Sequence, residues 1–209
     1  LYEAALGRRL LPGTHCRMNW VEQIDILVSN WLFIDPLNDP SRWLLLIAGS
    51  ASVYLIPLIL LVEFFYRRHR LSALKATVIG LVAWLLVSIP IGEYLYSQFG
   101  WRERPFFALG LQEWLLETPA KAFPSDHSAL LMAITLVYFS SVHRRLAGWL
   151  LALTLVAGLG RVMLGFHFVG DVLGGYLIAA SVFGLSRLVN RPLDRLLAWG
   201  LKISRFVDG

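Results

Sequence analysis

The chain has only one cysteine, Cys16. That excludes an intrachain disulfide and any metal site built from cysteines. Charge is also scarce: Asp, Glu, Lys and Arg make up 16% of the 209 residues, where about 25% is ordinary for a soluble domain. No Pro/Gly/Ser-rich linker divides the sequence, and it shows no internal repeat or low-complexity run, so one domain is expected. Apolar residues, by contrast, are abundant. The hydrophobic fraction is 57% and the mean hydropathy +0.62, values that fit a membrane bundle and argue against a soluble domain. A net charge of +5 would point to nucleic acid in a soluble protein. Here the basic residues sit at the ends of apolar segments, where they set orientation, so the expected partner is the bilayer and not nucleic acid.

Residues 1–17 have no long apolar run and no signal-peptide cleavage pattern. They read as a non-native or disordered leader, with 18–209 as a single membrane domain. Five segments, 43–66, 73–97, 127–142, 147–164 and 168–189, are apolar over about the 20 residues a spanning helix needs, the third and fourth being short. Residues 20–34 carry apolar side chains at helical spacing, interrupted by Glu22, Gln23 and Asp25, and read as an interfacial helix or, alternatively, a sixth buried one. A second surface helix is expected at 109–116, and an amphipathic one after Pro192. The fold class is therefore all-α: a polytopic membrane bundle of five to six helices with interfacial amphipathic helices.

If the five spans alternate, eleven basic residues share one side: Arg67, Arg68, Arg70, Lys75, Arg144, Arg145, Arg187, Arg191, Arg195, Lys202 and Arg205. The positive-inside rule makes that side cytoplasmic. The other side keeps Arg42, Arg102, Arg104, Lys121 and Arg161. Arg8, Arg9 and Arg17 would oppose the rule. His15, His69 and His143 flank basic runs and are expected to be solvated.

Three polar segments fall on the outward side: Trp101-Arg102-Glu103-Arg104-Pro105, Pro124-Ser125-Asp126-His127, and the stretch from Arg161 through His167 to Asp171. His167 and Asp171 are four apart and share a helix face. A carboxylate accepting from one imidazole nitrogen fixes the tautomer and leaves the other nitrogen as nucleophile or base. Gly165 permits a turn between Arg161 and His167. Guanidinium groups suit phosphate oxygens because their donors form a planar fork. Pro-Ser-Asp before an apolar run marks a helix N-terminus, whose free N–H groups can hold an anion. His127 then supplies a second imidazole, so that one histidine can attack phosphorus and the other protonate the leaving oxygen. Gly170, Gly174 and Gly175 read as helix-packing points.

In this order, the residues resemble the signature of the type 2 phosphatidic acid phosphatases: K-x6-RP, then PSGH, then SR-x5-H-x3-D. The third part is Gly160-Arg161, five residues, His167, three residues, Asp171; the second is PSDH; the first is reduced to Arg104-Pro105, with Ser97 in the lysine slot. The resemblance covers roughly residues 40 to 190. It implies a lipid phosphate or diphosphate substrate, with His167 as the nucleophile that becomes a phosphohistidine, Asp171 its partner and His127 the proton donor. Arg104, Ser125 and Arg161 would hold phosphoryl oxygens, with Arg102 by analogy and Lys121 its rival for the missing positive charge. Asp126 is carried in the phosphate-binding set as part of PSDH. Such enzymes use no metal and no cofactor, the arginines neutralising charge. PSDH, the short length and the arginine-containing first motif resemble the bacterial undecaprenyl-diphosphate phosphatase branch, which works on the outer face of the plasma membrane. Phosphatidylglycerophosphate, phosphatidate and lipid A phosphatases share the same core, and phosphotransfer to another acceptor is also open.

Overall fold

The structure, a computed structural model, describes residues 20–33, 42–66, 69–99, 104–105, 122–141 and 144–207. The expectations for 1–17, for the 109–116 helix and for Arg102, Lys121, Arg67, Arg68, His15 and His143 lie outside the described residues. The described elements are all helical. They are α1 (Trp20–Leu32), α2 (Arg42–Phe65), α3 (Arg70–Leu86), a π turn (Val87–Ile91), α4 (Gly92–Phe99), α5 (Asp126–Phe139), α6 (Arg144–Met163), α7 (Val169–Leu188) and α8 (Asn190–Val207).

Arg70–Leu95, Arg144–Met163 and Val169–Leu188 are each long and apolar enough to cross a membrane, while Gly49–Phe65 and α5 are shorter apolar helices. Pro90 explains the π turn. It has no N–H to donate and its ring crowds the preceding turn, so the chain widens by one residue and continues as helix instead of breaking.

Burial is patterned as a membrane bundle requires. Inside lie small and branched residues: Ile56, Ala76, Ile79, Ala83, Val87, Ala129, Ala133, Ile134, Ala147, Leu150, Ala157 and Ala179. The alanines let the helices approach closely, which matters where lipid tails are as apolar as leucine. Outside, Leu44, Ile47, Tyr54, Leu58, Leu81, Trp149, Leu155 and Leu177 are exposed, a belt suited to hydrocarbon. At the centre, α5 packs on α3, α6 and α7 and is buried on most sides. Thr135 Oγ1 and Thr154 Oγ1 hydrogen bond at 3.0 Å between α5 and α6, satisfying two buried hydroxyls in the core.

At the end predicted to be cytoplasmic, Lys75 of α3 donates to Asp194 at 2.7 Å and to Asn190, docking α8. Leu193 and Leu197 turn toward the bundle, Leu196 and Trp199 are exposed, and Arg191, Arg195 and Lys202 face out, as an interfacial helix should. His69, expected to be solvated, is half-buried, and its Nδ1 lies 2.7 Å from Glu63 Oε2, joining the ends of α2 and α3.

Candidate active site

The opposite end of the bundle gathers the polar segments. Ser125 has an extended backbone, and α5 starts at Asp126, as the Pro-Ser-Asp pattern predicts. Ser125 is fully buried; its N–H donates to the Asp171 carbonyl at 3.0 Å and its hydroxyl accepts from Ser128 Oγ at 2.9 Å. This brings the start of α5 against the first turns of α7. Gly175 makes the approach possible, because a Cβ there would stand 2.4 Å from the Ser125 carbonyl oxygen.

Arg161 lies in the last turn of α6, and the chain folds back around its carbonyl, which accepts from Phe166 N at 2.9 Å and His167 N at 3.3 Å. The reversal runs through Gly165 at φ 73°, a left-handed conformation that costs glycine little. The Arg161 guanidinium stacks over the Phe166 ring at 5.8 Å, and its Nε has no hydrogen-bond partner among the described residues. Arg104 is buried too, close enough to Asp126 and Asp171 for attraction and to Arg161 for repulsion. Burial lowers the Arg104 pKa below its usual value, and the two carboxylates oppose that shift.

The two histidines differ in environment. His167 is buried, its side chain 1% exposed, whereas that of His127 is 37% exposed. His167 Nδ1 lies 2.9 Å from the Ala122 carbonyl oxygen. A carbonyl only accepts, so Nδ1 carries the proton and Nε2 bears the lone pair. That Nε2 is buried and has no hydrogen-bond partner among the described residues. Burial is the main cause pulling the His167 pKa below the ordinary histidine value. Arg104 and Arg161 act in the same direction, and Asp171 acts against it.

Asp171 is placed differently from the simplest expectation. Its Oδ2 accepts from Phe168 N at 2.8 Å, closing the first turn of α7, and stands 3.6 Å from His167 Nδ1. The second distance is too long for a hydrogen bond. The tightest acceptor on the imidazole is therefore a main-chain carbonyl, which sequence could not indicate. Asp126, grouped with the phosphate binders, has its Oδ1 on His127, 2.8 Å from both the backbone N and Nδ1. A carboxylate repels phosphate oxygens, and in this position it orients the second imidazole.

Two further polar residues reach this end from α1. Asp25 Oδ1 accepts from Gly170 N at 2.8 Å and Ser29 Oγ from Val169 N at 3.0 Å. Among the described residues, no group of three or more His, Cys, Asp or Glu side chains is arranged to hold a metal ion. The assembled groups can neutralise a phosphoryl dianion with two guanidiniums, offer one buried imidazole lone pair and deliver a proton from a second, accessible imidazole.

Comparison with known proteins places the chain in a family. A family model described as the PAP2 superfamily matches residues 78–193. The chain is similar to phosphatidylglycerophosphatase B of Bacillus subtilis (strain 168), 30% identical over 160 residues, covering 70% of this chain and 72% of that protein. It is also similar to undecaprenyl-diphosphatase BcrC of the same organism, 29% identical over 117 residues, covering 56% of this chain and 55% of that protein. Among solved structures, a transmembrane PAP2 type phosphatidylglycerolphosphate phosphatase from Bacillus subtilis shares the fold, with TM-score 0.61, 22% identity and 91% of each chain covered.

Proposed function

The chain belongs to the PAP2 superfamily of membrane lipid phosphatases, and from that premise we propose that it hydrolyses undecaprenyl diphosphate to undecaprenyl phosphate and phosphate. One observation carries the catalytic part of the reading: His167 is buried, with Nδ1 bound to the Ala122 carbonyl and Nε2 left as the lone-pair nitrogen.

In the proposed mechanism, Arg104 and Arg161 hold the terminal phosphoryl group, and Ser125 and Arg102 contribute further donors. His167 Nε2 attacks phosphorus, forming a P–N bond as the bond to the bridging oxygen breaks. His127, oriented by Asp126, gives its proton to the departing oxygen. The phosphorylated imidazole is cationic because Nδ1 keeps its proton, and Asp171 at 3.6 Å stabilises that charge. His127 then takes a proton from water, whose oxygen attacks phosphorus. The P–N bond breaks and inorganic phosphate leaves. The donors in this scheme are guanidiniums and the Ser125 hydroxyl, so no metal or cofactor is assigned a step.

The diphosphate substrate is favoured by PSDH, by the arginine pair around Arg104 and by the likeness to a protein named undecaprenyl-diphosphatase. A second reading is a monoester substrate, phosphatidylglycerophosphate, favoured by the likeness to phosphatidylglycerophosphatase B. The charge asymmetry supports a plasma-membrane location with the site on the extracytoplasmic face. The test is phosphate release in detergent from a panel of undecaprenyl diphosphate, phosphatidylglycerophosphate, phosphatidate and lipid A, with EDTA present. The reading expects turnover that EDTA leaves intact and a preference for the diphosphate. Preference for a monoester supports the second reading, and loss of activity in EDTA contradicts the metal-free scheme.

A further inference from the structure

An α-helix leaves its first N–H groups without intrahelical partners, and a serine, threonine, aspartate or asparagine at the N-cap ordinarily supplies an acceptor. The residue at that position of α7 is Phe168, which has no acceptor in its side chain. Two of the missing acceptors come instead from α1, about 140 residues earlier in the chain. Val169 N donates to Ser29 Oγ at 3.0 Å, and Gly170 N donates to Asp25 Oδ1 at 2.8 Å. The third comes from Asp171, whose carboxylate takes Phe168 N. The turn closed in this way directly follows His167 and contains Asp171.

The way α1 is held is as informative as what it caps. Ser29 is its one buried residue, and the apolar core cluster draws none of its members from α1. Its apolar stripe, Trp20, Ile24, Leu27, Val28 and Trp31, is exposed, with Trp31 at 82%. The amphipathic helix is thus turned so that its polar face meets the bundle and its apolar face points away from it. A helix present mainly to enlarge the core would face the other way.

We propose that Asp25 and Ser29 are positioning residues for the catalytic centre: by capping the first turn of α7 from a separate helix, they fix the His167–Asp171 pair in its working geometry. The proposal rests on the phosphatase reading above. α1 completes the site and contributes little to the stability of the bundle.

The test compares Asp25→Ala/Ser29→Ala, Asp25→Asn and Gly170→Ala with the wild type in detergent, on a lipid phosphate that the wild type hydrolyses. Misplacing a reacting group by about 1 Å costs on the order of 100-fold in rate. The double variant should therefore lose about 10- to 100-fold in kcat, with KM changed less than about threefold, and its thermal midpoint should stay near that of the wild type. Asp25→Asn keeps an acceptor oxygen and should recover most of the kcat. Gly170→Ala leaves both α1 residues intact but places a Cβ 2.7 Å from Asp25 Oδ2, and it should reproduce the kcat loss by displacing α1. Wild-type kcat in the double variant overturns the proposal, as does a loss explained wholly by a smaller folded fraction, or Asp25→Asn as impaired as the double variant. Amide exchange at Val169 and Gly170 reads the cap without activity, and about tenfold faster exchange is expected in the double variant. If exchange rises and the wild type hydrolyses no lipid phosphate, the cap stands and the phosphatase reading fails. If exchange is unchanged, the proposal fails on its own.

Discussion

Replacing Asp171 with asparagine separates two tasks that its carboxylate performs. The amide oxygen can still accept from Phe168 N, so the first turn of α7 should stay closed, and the negative charge beside His167 is lost. The cost follows from the geometry. A full positive charge on the imidazole, 3.6 Å from the carboxylate, is stabilised by roughly 4–5 kcal/mol at an effective dielectric near 20. If about half of that charge has developed in the transition state, the loss is about 2 kcal/mol, or roughly 30-fold in kcat. Where the carboxylate alone sets the tautomer, as in the serine protease triad, the corresponding change costs about 10⁴-fold. Here the Ala122 carbonyl at 2.9 Å keeps the proton on Nδ1 whatever occupies position 171, so the smaller figure applies. The assay is single-turnover phosphate release by purified Asp171→Asn at saturating substrate. A loss near 10⁴-fold would refute the assignment of tautomer control to the carbonyl, and an unchanged rate would reduce Asp171 to a helix cap.

His167→Ala should abolish turnover and leave the thermal midpoint and detergent elution near wild type; phosphate release at the wild-type rate counts against it. His127→Ala should impair a monoester more than a diphosphate, because a phosphate monoanion leaves with less need of a proton than an alkoxide does; the ratio of the two kcat values reads this directly. In pH profiles of kcat/KM, the attacking form of His167 is neutral, and burial lowers its pKa, so it stays neutral as pH falls through the ordinary value of about 6.5. The acidic limb should lie below that value, and a limb above it contradicts the buried-nucleophile account. In a Cys16→Ser background, a cysteine at Gln98 should react with an impermeant thiol reagent on intact cells and one at Ser140 should not, since they lie at opposite ends of the bundle; the reverse pattern places the site on the cytoplasmic side.

The sequence revealed what depends on local pattern. Spans are set by runs of apolar residues, and the amphipathic helix after Pro192 by its period; the structure carries these as α2, α3 with α4, α5, α6, α7 and α8. The helix start at Pro-Ser-Asp and the turn at Gly165 were legible because capping chemistry and left-handed φ have strong residue preferences. Long-range contacts were not legible. Asp25 looked like an interruption of an apolar stripe, and nothing within α1 signals that its carboxylate meets an amide 145 residues away. The acceptor on His167 is a carbonyl, which every residue carries and no side chain advertises. His69 illustrates the same limit at shorter range: it flanks a basic run and reads as solvated, and the turn between α2 and α3 brings it to Glu63.

In the proposed mechanism phosphate passes through a covalent bond to His167. That bond can be trapped by mixing the enzyme with excess lipid diphosphate labelled in its terminal phosphate, quenching in alkali within one turnover, and locating the label by peptide mass spectrometry. A phosphoramidate bond survives alkali and is lost in acid, unlike a phosphoester. Acid-labile phosphate is expected on the peptide carrying His167 and none in His167→Ala. Label on a different residue, or rapid phosphate release by wild type with no labelled peptide at any quench time, would rule out His167 as the nucleophile.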